Sequence, residues 1–149
     1  MTDVAFYHLQ KSTLETALPR LLEKTLAAGK RAVVMAGSVQ RVEALAVHLW
    51  TYDPAAWLPH GTAQDGSAED QPIWLTDRDE NPTGATFLFL TDGADSARID
   101  AYERCFDLFD ARDPEAVEAA RARWAIRTSA GPNVTYWQQT DRGGWEMKA

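Results

Sequence analysis

Cysteine is nearly absent: Cys105 stands alone among 149 residues. One thiol excludes an internal disulfide framework and fits a reducing compartment. No apolar run approaches the roughly 20 residues a membrane span needs. The start, Met1-Thr2-Asp3, lacks the basic and apolar regions of a secretory signal. The chain is therefore expected in the cytoplasm and away from membranes. Bases are in short supply, 15 Lys and Arg against 22 Asp and Glu, for a net charge of −7. That balance disfavours general nucleic-acid binding, which needs a basic surface to neutralise phosphates. The deficit is uneven, because residues 111–149 carry six bases against five acids. The C-terminal third is where an acidic partner could dock.

Catalytic signatures are missing too. His8, His48 and His60 are far apart, without His-x-x-x-His or Cys-x-x-Cys spacing, so no metal site is expected. Gly37 follows an apolar run but opens no Gly-x-Gly-x-x-Gly loop, and no Gly-Lys-Ser or Gly-Lys-Thr occurs. Lys30 follows Gly29 at the carbonyl end of a helix, the wrong end for a phosphate. No cofactor is expected. Cys105 would act as a nucleophile only beside a histidine; a buried structural thiol is the plainer reading. Asp92-Gly93-Ala94-Asp95 follows a strand's C-terminal end, where α/β enzymes place acids, but a solvated turn and helix cap is the favoured reading.

What is present is an alternation of short apolar runs and amphipathic segments. Val4–Leu9 reads as a buried strand. Ser12-Thr13-Leu14-Glu15 resembles a capping box with Ser12 as N-cap, and leucines then recur at helical spacing to Gly29. Pro19 inside that helix predicts a kink or a late start. Arg31–Ala36 is a second strand and Gly37-Ser38 opens a second helix carrying Val42, Leu45, Ala46, Leu49 and Trp50. A short strand at Trp57–Pro59, a polar loop, and strands at Pro72–Thr76 and Ala85–Thr91 follow. Ser96–Tyr102 predicts a short helix, and the alternation in Arg104–Phe109 predicts a strand near a sheet edge. Asp113-Pro114 starts a last helix running to about Ser129, before Gly131-Pro132. Val134–Gln139 and Trp145–Lys148 flank the turn Asp141-Arg142-Gly143-Gly144. The pattern predicts one α/β domain over residues 1–149: a three-layer α/β/α sandwich on a mostly parallel sheet, Rossmann-like without a nucleotide-binding loop.

Two residue groups stand out. Trp50 ends the second helix and Trp57 follows a proline-broken connection, with Pro59 and His60 just beyond. Trp50 suits either core packing or a partner surface, whereas Trp57 has less reason to be buried. In the last helix, Val117, Arg121 and Trp124 share one stripe, with Arg123 and Arg127 in an adjacent row. A guanidinium beside an indole can hold a carboxylate bidentately while the ring packs an apolar side chain. That suits an acidic peptide or a free C-terminal carboxylate; pairing of the arginines with acids such as Glu118 is the competing reading.

Leu49-Trp50, Trp57-Leu58-Pro59-His60, Ala120-Arg121-Ala122-Arg123-Trp124, Gly131 and Val134–Gln139 together resemble the chi subunit of bacterial DNA polymerase III. The resemblance implies a non-catalytic accessory subunit of the clamp-loader assembly, with an α/β fold and no nucleotide. It implies two partners: the small psi subunit, and the acidic, phenylalanine-ended C-terminal tail of the single-stranded-DNA-binding protein (SSB). On it, Arg121 and Trp124 match the tail pocket. A lysine of some members falls at about Val117 here, leaving Arg123, Arg127 or Arg112 to compensate. Trp50 and Trp57 match an aromatic pair associated with psi or with a helicase, and DNA contact would be indirect. Residues 143–149 extend beyond shorter members. A small-molecule or nucleotide-binding enzyme on the same scaffold is the alternative, and a single-strand binder stacking bases on tryptophans is a third.

Overall fold

The computed structural model describes residues 2–10, 13–53, 58–130, 133–142 and 144–148. Seven strands form one sheet: β1 (Asp3–Leu9), β2 (Ala32–Met35), β3 (Ile73–Thr76), β4 (Phe87–Leu90), β5 (Arg104–Asp110), β6 (Asn133–Gln139) and β7 (Trp145–Met147). Their order is β3-β2-β4-β5-β1-β6-β7, and every described pairing is parallel except β6 with β7. Three helices cover it: α1 (Leu14–Ala27), α2 (Val39–Thr51) and α3 (Pro114–Ala130). None is long and apolar enough to cross a membrane, among the described residues.

Period-two alternation splits the strands between two cores. Ala5, Tyr7, Leu9, Phe106 and Leu108 face α1 and α2, and pack on Leu18, Leu22, Leu45 and Leu49. Val4, Phe6, Cys105 and Phe109 face the α3 side and pack with Ala120, Val117 and Trp124. A strand buried on both faces must be apolar throughout, which is why β1, β2 and β4 read so clearly in the sequence. The architecture is the expected three-layer sandwich on a mostly parallel sheet.

Helix ends follow local chemistry. Ser38 caps α2 by accepting from the Arg41 amide at 3.2 Å. Asp113 caps α3, its Oδ1 accepting from the amides of Glu115 (3.0 Å) and Ala116 (3.4 Å). Such a cap contributes about 1 kcal/mol. The α1 cap differs from expectation. Thr13 precedes the first helical turn and its side chain makes no cap bond; Ser12 lies outside the described residues. Nor does Pro19 delay the helix. It stands inside α1, and the Glu15 carbonyl that a proline cannot bond accepts from His48 Nε2–H on α2. The defect in one helix becomes a tie to the next.

Three further expectations are corrected. β5 is not near an edge; it is the middle strand, between β4 and β1. Its apparent polar alternation comes from Asp107, only 3% exposed and neutralised by Arg123 of α3. The helix at Ser96–Tyr102 contracts to one 3-10 turn at Ile99–Ala101. Leu58 and Pro59 form no strand; instead Gly61 bridges to Trp74, its amide donating to the Ile73 carbonyl at 3.0 Å. Pro54–Trp57 lie outside the described residues.

Candidate functional site

β1, β5 and β6 lie side by side, and α3 packs across their shared face. Parallel register sets His8 opposite Phe109 on one side and Gln138 on the other, with Phe6 opposite Tyr136. The same period-two face thus carries Phe6, His8, Phe109 and Tyr136. Above them, Val117, Ala120, Arg121 and Trp124 descend from successive turns of α3. Together they line a pocket of about 270 Å³. That is just below the ~300–1,000 Å³ of small-molecule sites and suits a single side chain.

The walls are aromatic and interlocked. Trp124 meets Phe6 edge-on at 5.4 Å and Tyr136 edge-on at 5.9 Å between ring centroids. His8 lies against Phe109 at 5.0 Å, and its Nδ1 hydrogen-bonds the Tyr136 hydroxyl. Burial, and then the positive charge of Arg121, hold the His8 imidazole below its ordinary pKa. Burial pushes the Tyr136 phenol up, and Arg121 opposes it. Arg121 is exposed at the rim and makes no ion pair among the described residues.

The pocket therefore unites Val117, Arg121 and Trp124 from the predicted set, and excludes the two other arginines of α3. Arg123 is buried and bidentate on Asp107, at 2.6 and 2.9 Å. Burial raises the Asp107 carboxyl above its ordinary value, with the guanidinium pulling it back. Arg127 pairs with Asp95, and Arg112 with Asp110 at 3.0 Å. Each proposed substitute for a second pocket cation is already engaged within the protein. Phe6, His8, Phe109 and Tyr136 escaped the sequence reading because they sit on three separated strands. The available signal was the alternation Val4-x-Phe6-x-His8, which assigns His8 to the same face as Phe6.

The other predicted surface lies at the end of α2. Trp50 is 54% exposed, on the solvent side of its row, while Val42 and Leu49 are buried. Its indole packs over the His60 ring at 4.2 Å. His60 is itself buried, so it supports that surface instead of presenting to it. Its Nδ1 lies 2.7 Å from the Leu58 carbonyl and its Nε2 2.9 Å from that of Ala46, which pins the loop to α2. Pro59 is half-buried. Val39 and Val47 continue an exposed apolar stripe along the helix.

A third concavity tests the enzyme alternative. β1 is followed by a helix on one face and its neighbour β5 by a helix on the other, so a crevice opens beyond their C-terminal ends. Doubly wound enzymes bind ligands at that switch point. Here it holds Glu15, Asp92, Asp110, Asp113 and Glu115 against Arg41, Arg112 and Arg123. All three guanidiniums are engaged internally: Arg41 on Asp92 (3.0 Å) and Glu15 (3.2 Å), the others as above. The crevice repels a phosphate. Cys105 is fully buried and burial pushes its thiol up. No group of three His, Cys, Asp or Glu among the described residues is arranged to hold a metal.

A family model described as DNA polymerase III chi subunit, HolC, matches residues 1–135. The chain belongs to that family. A protein of Rickettsia prowazekii (strain Madrid E), named as a probable DNA polymerase III subunit chi, is 32% identical over 99 residues. The match covers 66% of this chain and 60% of the relative's length. A solved structure, that of T4 UvsW, superposes with a TM-score of 0.62 at 11% identity, over 92% of this chain and 41% of that one. That likeness concerns the fold alone. The family match ends one residue short of Tyr136, so the His8–Tyr136 contact and the β6–β7 hairpin lie partly or wholly beyond it.

Proposed function

We propose that the protein is a non-catalytic accessory subunit of the replicative DNA polymerase III holoenzyme. It links the clamp-loader complex to the acidic C-terminal tail of SSB, working as one domain in the cytoplasm. The terminal phenylalanine enters the pocket between Phe6, Phe109, Trp124 and Tyr136, and its carboxylate pairs with Arg121. The observation that carries this reading is a guanidinium, without an ion pair among the described residues, at the rim of an aromatic pocket sized for one side chain. A ring supplies apolar area and a charge-assisted bond supplies direction. Acidic residues upstream would be steered by the more basic C-terminal third, making the affinity modest and salt-sensitive.

Psi, or a helicase in its stead, is assigned to the exposed stripe of α2, with Trp50 as its anchor. DNA contact is then indirect. The enzyme reading is disfavoured by the engaged arginines of the switch-point crevice, and direct single-strand binding by the −7 charge. Titration calorimetry with a short acidic peptide ending in phenylalanine tests the tail site. Arg121→Ala should weaken binding by about 1–3 kcal/mol while the folding midpoint holds. Equal affinity of wild type and variant would remove the tail from this pocket.

A further inference from the structure

We infer that His8 and Tyr136 are the second half of the carboxylate clamp opposite Arg121, and that His8 takes up a proton when the tail's terminal carboxylate docks. The inference rests on the tail reading above. Cations are short at the pocket: of Arg112, Arg121, Arg123 and Arg127, only Arg121 is without an ion pair among the described residues, the others being held by Asp110, Asp107 and Asp95. A carboxylate held on one side by a single exposed guanidinium keeps an oxygen facing the aromatic wall. Among the strand residues that line the pocket, His8 and Tyr136 carry the polar side-chain atoms.

Hydrogen-bond chemistry defines two states of this pair. With neutral imidazole carrying its hydrogen on Nε2, the Tyr136 hydroxyl donates to Nδ1, and the phenol has no hydrogen left for a ligand. With imidazolium, Nδ1–H donates to the phenol oxygen, and the Tyr136 hydrogen turns free to donate into the pocket. Protonation thus adds one positive charge and one donor to the wall. In the unliganded protein the neutral state is favoured, since burial and the nearby Arg121 both oppose a second cation. A docked carboxylate reverses the electrostatics: it screens Arg121 and pairs with the imidazolium directly.

The surroundings of His8 leave few competing charges. From β5 it meets the Phe109 ring, and the nearest acid on that face, Asp107, is closed against Arg123. From β6 it meets Tyr136, with the uncharged Gln138 opposite in register. From α3 it meets Arg121. Gln at position 8 would keep a polar partner for Tyr136 and remove the titration.

The test is calorimetry of the phenylalanine-ended peptide at about pH 6 and about pH 8, where the peptide's own carboxyl groups do not titrate. Buffers of different ionisation enthalpy count the protons taken up. Wild type should bind about tenfold more tightly at the lower pH, with net proton uptake. His8→Gln should lose both the pH dependence and the uptake, and match the wild type at the higher pH. A peptide amidated at its C-terminus should bind weakly with no uptake. Binding that needs Arg121 but keeps its pH slope in His8→Gln overturns this inference and spares the tail site. Binding indifferent to Arg121→Ala, or no binding at all, overturns both.

Discussion

The pocket under α3 and the stripe on α2 are built in opposite ways. The pocket is concave, its aromatic walls rooted in the sheet, with Arg121 at the lip and without an ion pair among the described residues. The stripe is convex: Trp50 lies over a buried histidine, continued by Val39 and Val47. A concave site reads the end of a flexible chain, one side chain and one charge at a time. A convex aromatic ridge needs a groove in a folded or folding partner. Two surfaces of unlike shape on opposite layers of the sheet suit the proposed adaptor role, because two ligands would not compete for one site. The difference also teaches where α3 spends its arginines. Arg121 lines the pocket and is exposed to solvent; Arg123 faces the core.

The sharpest way to break this contrast is to exchange the fates of those two arginines. Arg123→Ala strands a buried carboxylate, Asp107, in the middle strand of the sheet. The expected loss is about 3–5 kcal/mol of stability, read by urea unfolding. Asp107→Asn with Arg123→Met should recover most of it, since neither variant side chain is charged. Arg121→Ala should leave the same unfolding curve in place. A stable Arg123→Ala protein that merely binds the tail peptide poorly would return Arg123 to the ligand and erase the contrast.

That pair of arginines also marks what the sequence makes legible. The strands with continuous apolar runs, the Asp113-Pro114 cap and the extended segments on either side of residues 141–144 all follow from local chemistry, and the structure has each of them, the last two paired antiparallel. β5 was misplaced because its alternation implied a wet face. The compensating charge sits sixteen residues away on α3, a separation at which spacing gives no signal. The same blindness affected the pocket. Val117, Arg121 and Trp124 share a helix and are visible by their spacing, whereas Phe6, Phe109 and Tyr136 meet them only through strand register. Arg121 and Arg123 are chemically identical and two positions apart. Only the helical rotation relative to β5 tells which one meets an acid.

A smaller effect probes the convex side. Trp50 is over half exposed, so its removal leaves the core packing intact. Trp50→Ala should cost the fold about 0.5–1 kcal/mol, the size of an aromatic contact such as that with His60. Its effect on a psi-type partner should be larger, about 2 kcal/mol or more, as for a central aromatic anchor. Tail-peptide affinity should not move. Parallel pull-downs and calorimetry on one variant separate the surfaces. Loss of tail binding in Trp50→Ala would mean that the two regions communicate.

The smallest expected effect is on the free protein and concerns the sign of a pH dependence. His8 is held below its ordinary pKa when folded, by burial and then by Arg121. Above that ordinary value, about 6.5, both folded and unfolded chains carry a neutral imidazole, and this group leaves stability unchanged with pH. As pH falls through it, the unfolded chain takes the proton first, so His8 makes the fold less stable until the folded ring also protonates. The difference between wild type and His8→Gln, measured by urea unfolding across that window, should therefore shrink or reverse toward lower pH at the wild type's expense. Saturating the wild type with tail peptide should turn the slope around, because the docked carboxylate favours the imidazolium. The unliganded pocket resists a second cation, and the occupied pocket should recruit one. A slope of the same sign with and without peptide would leave Arg121 as the pocket's sole electrostatic contact.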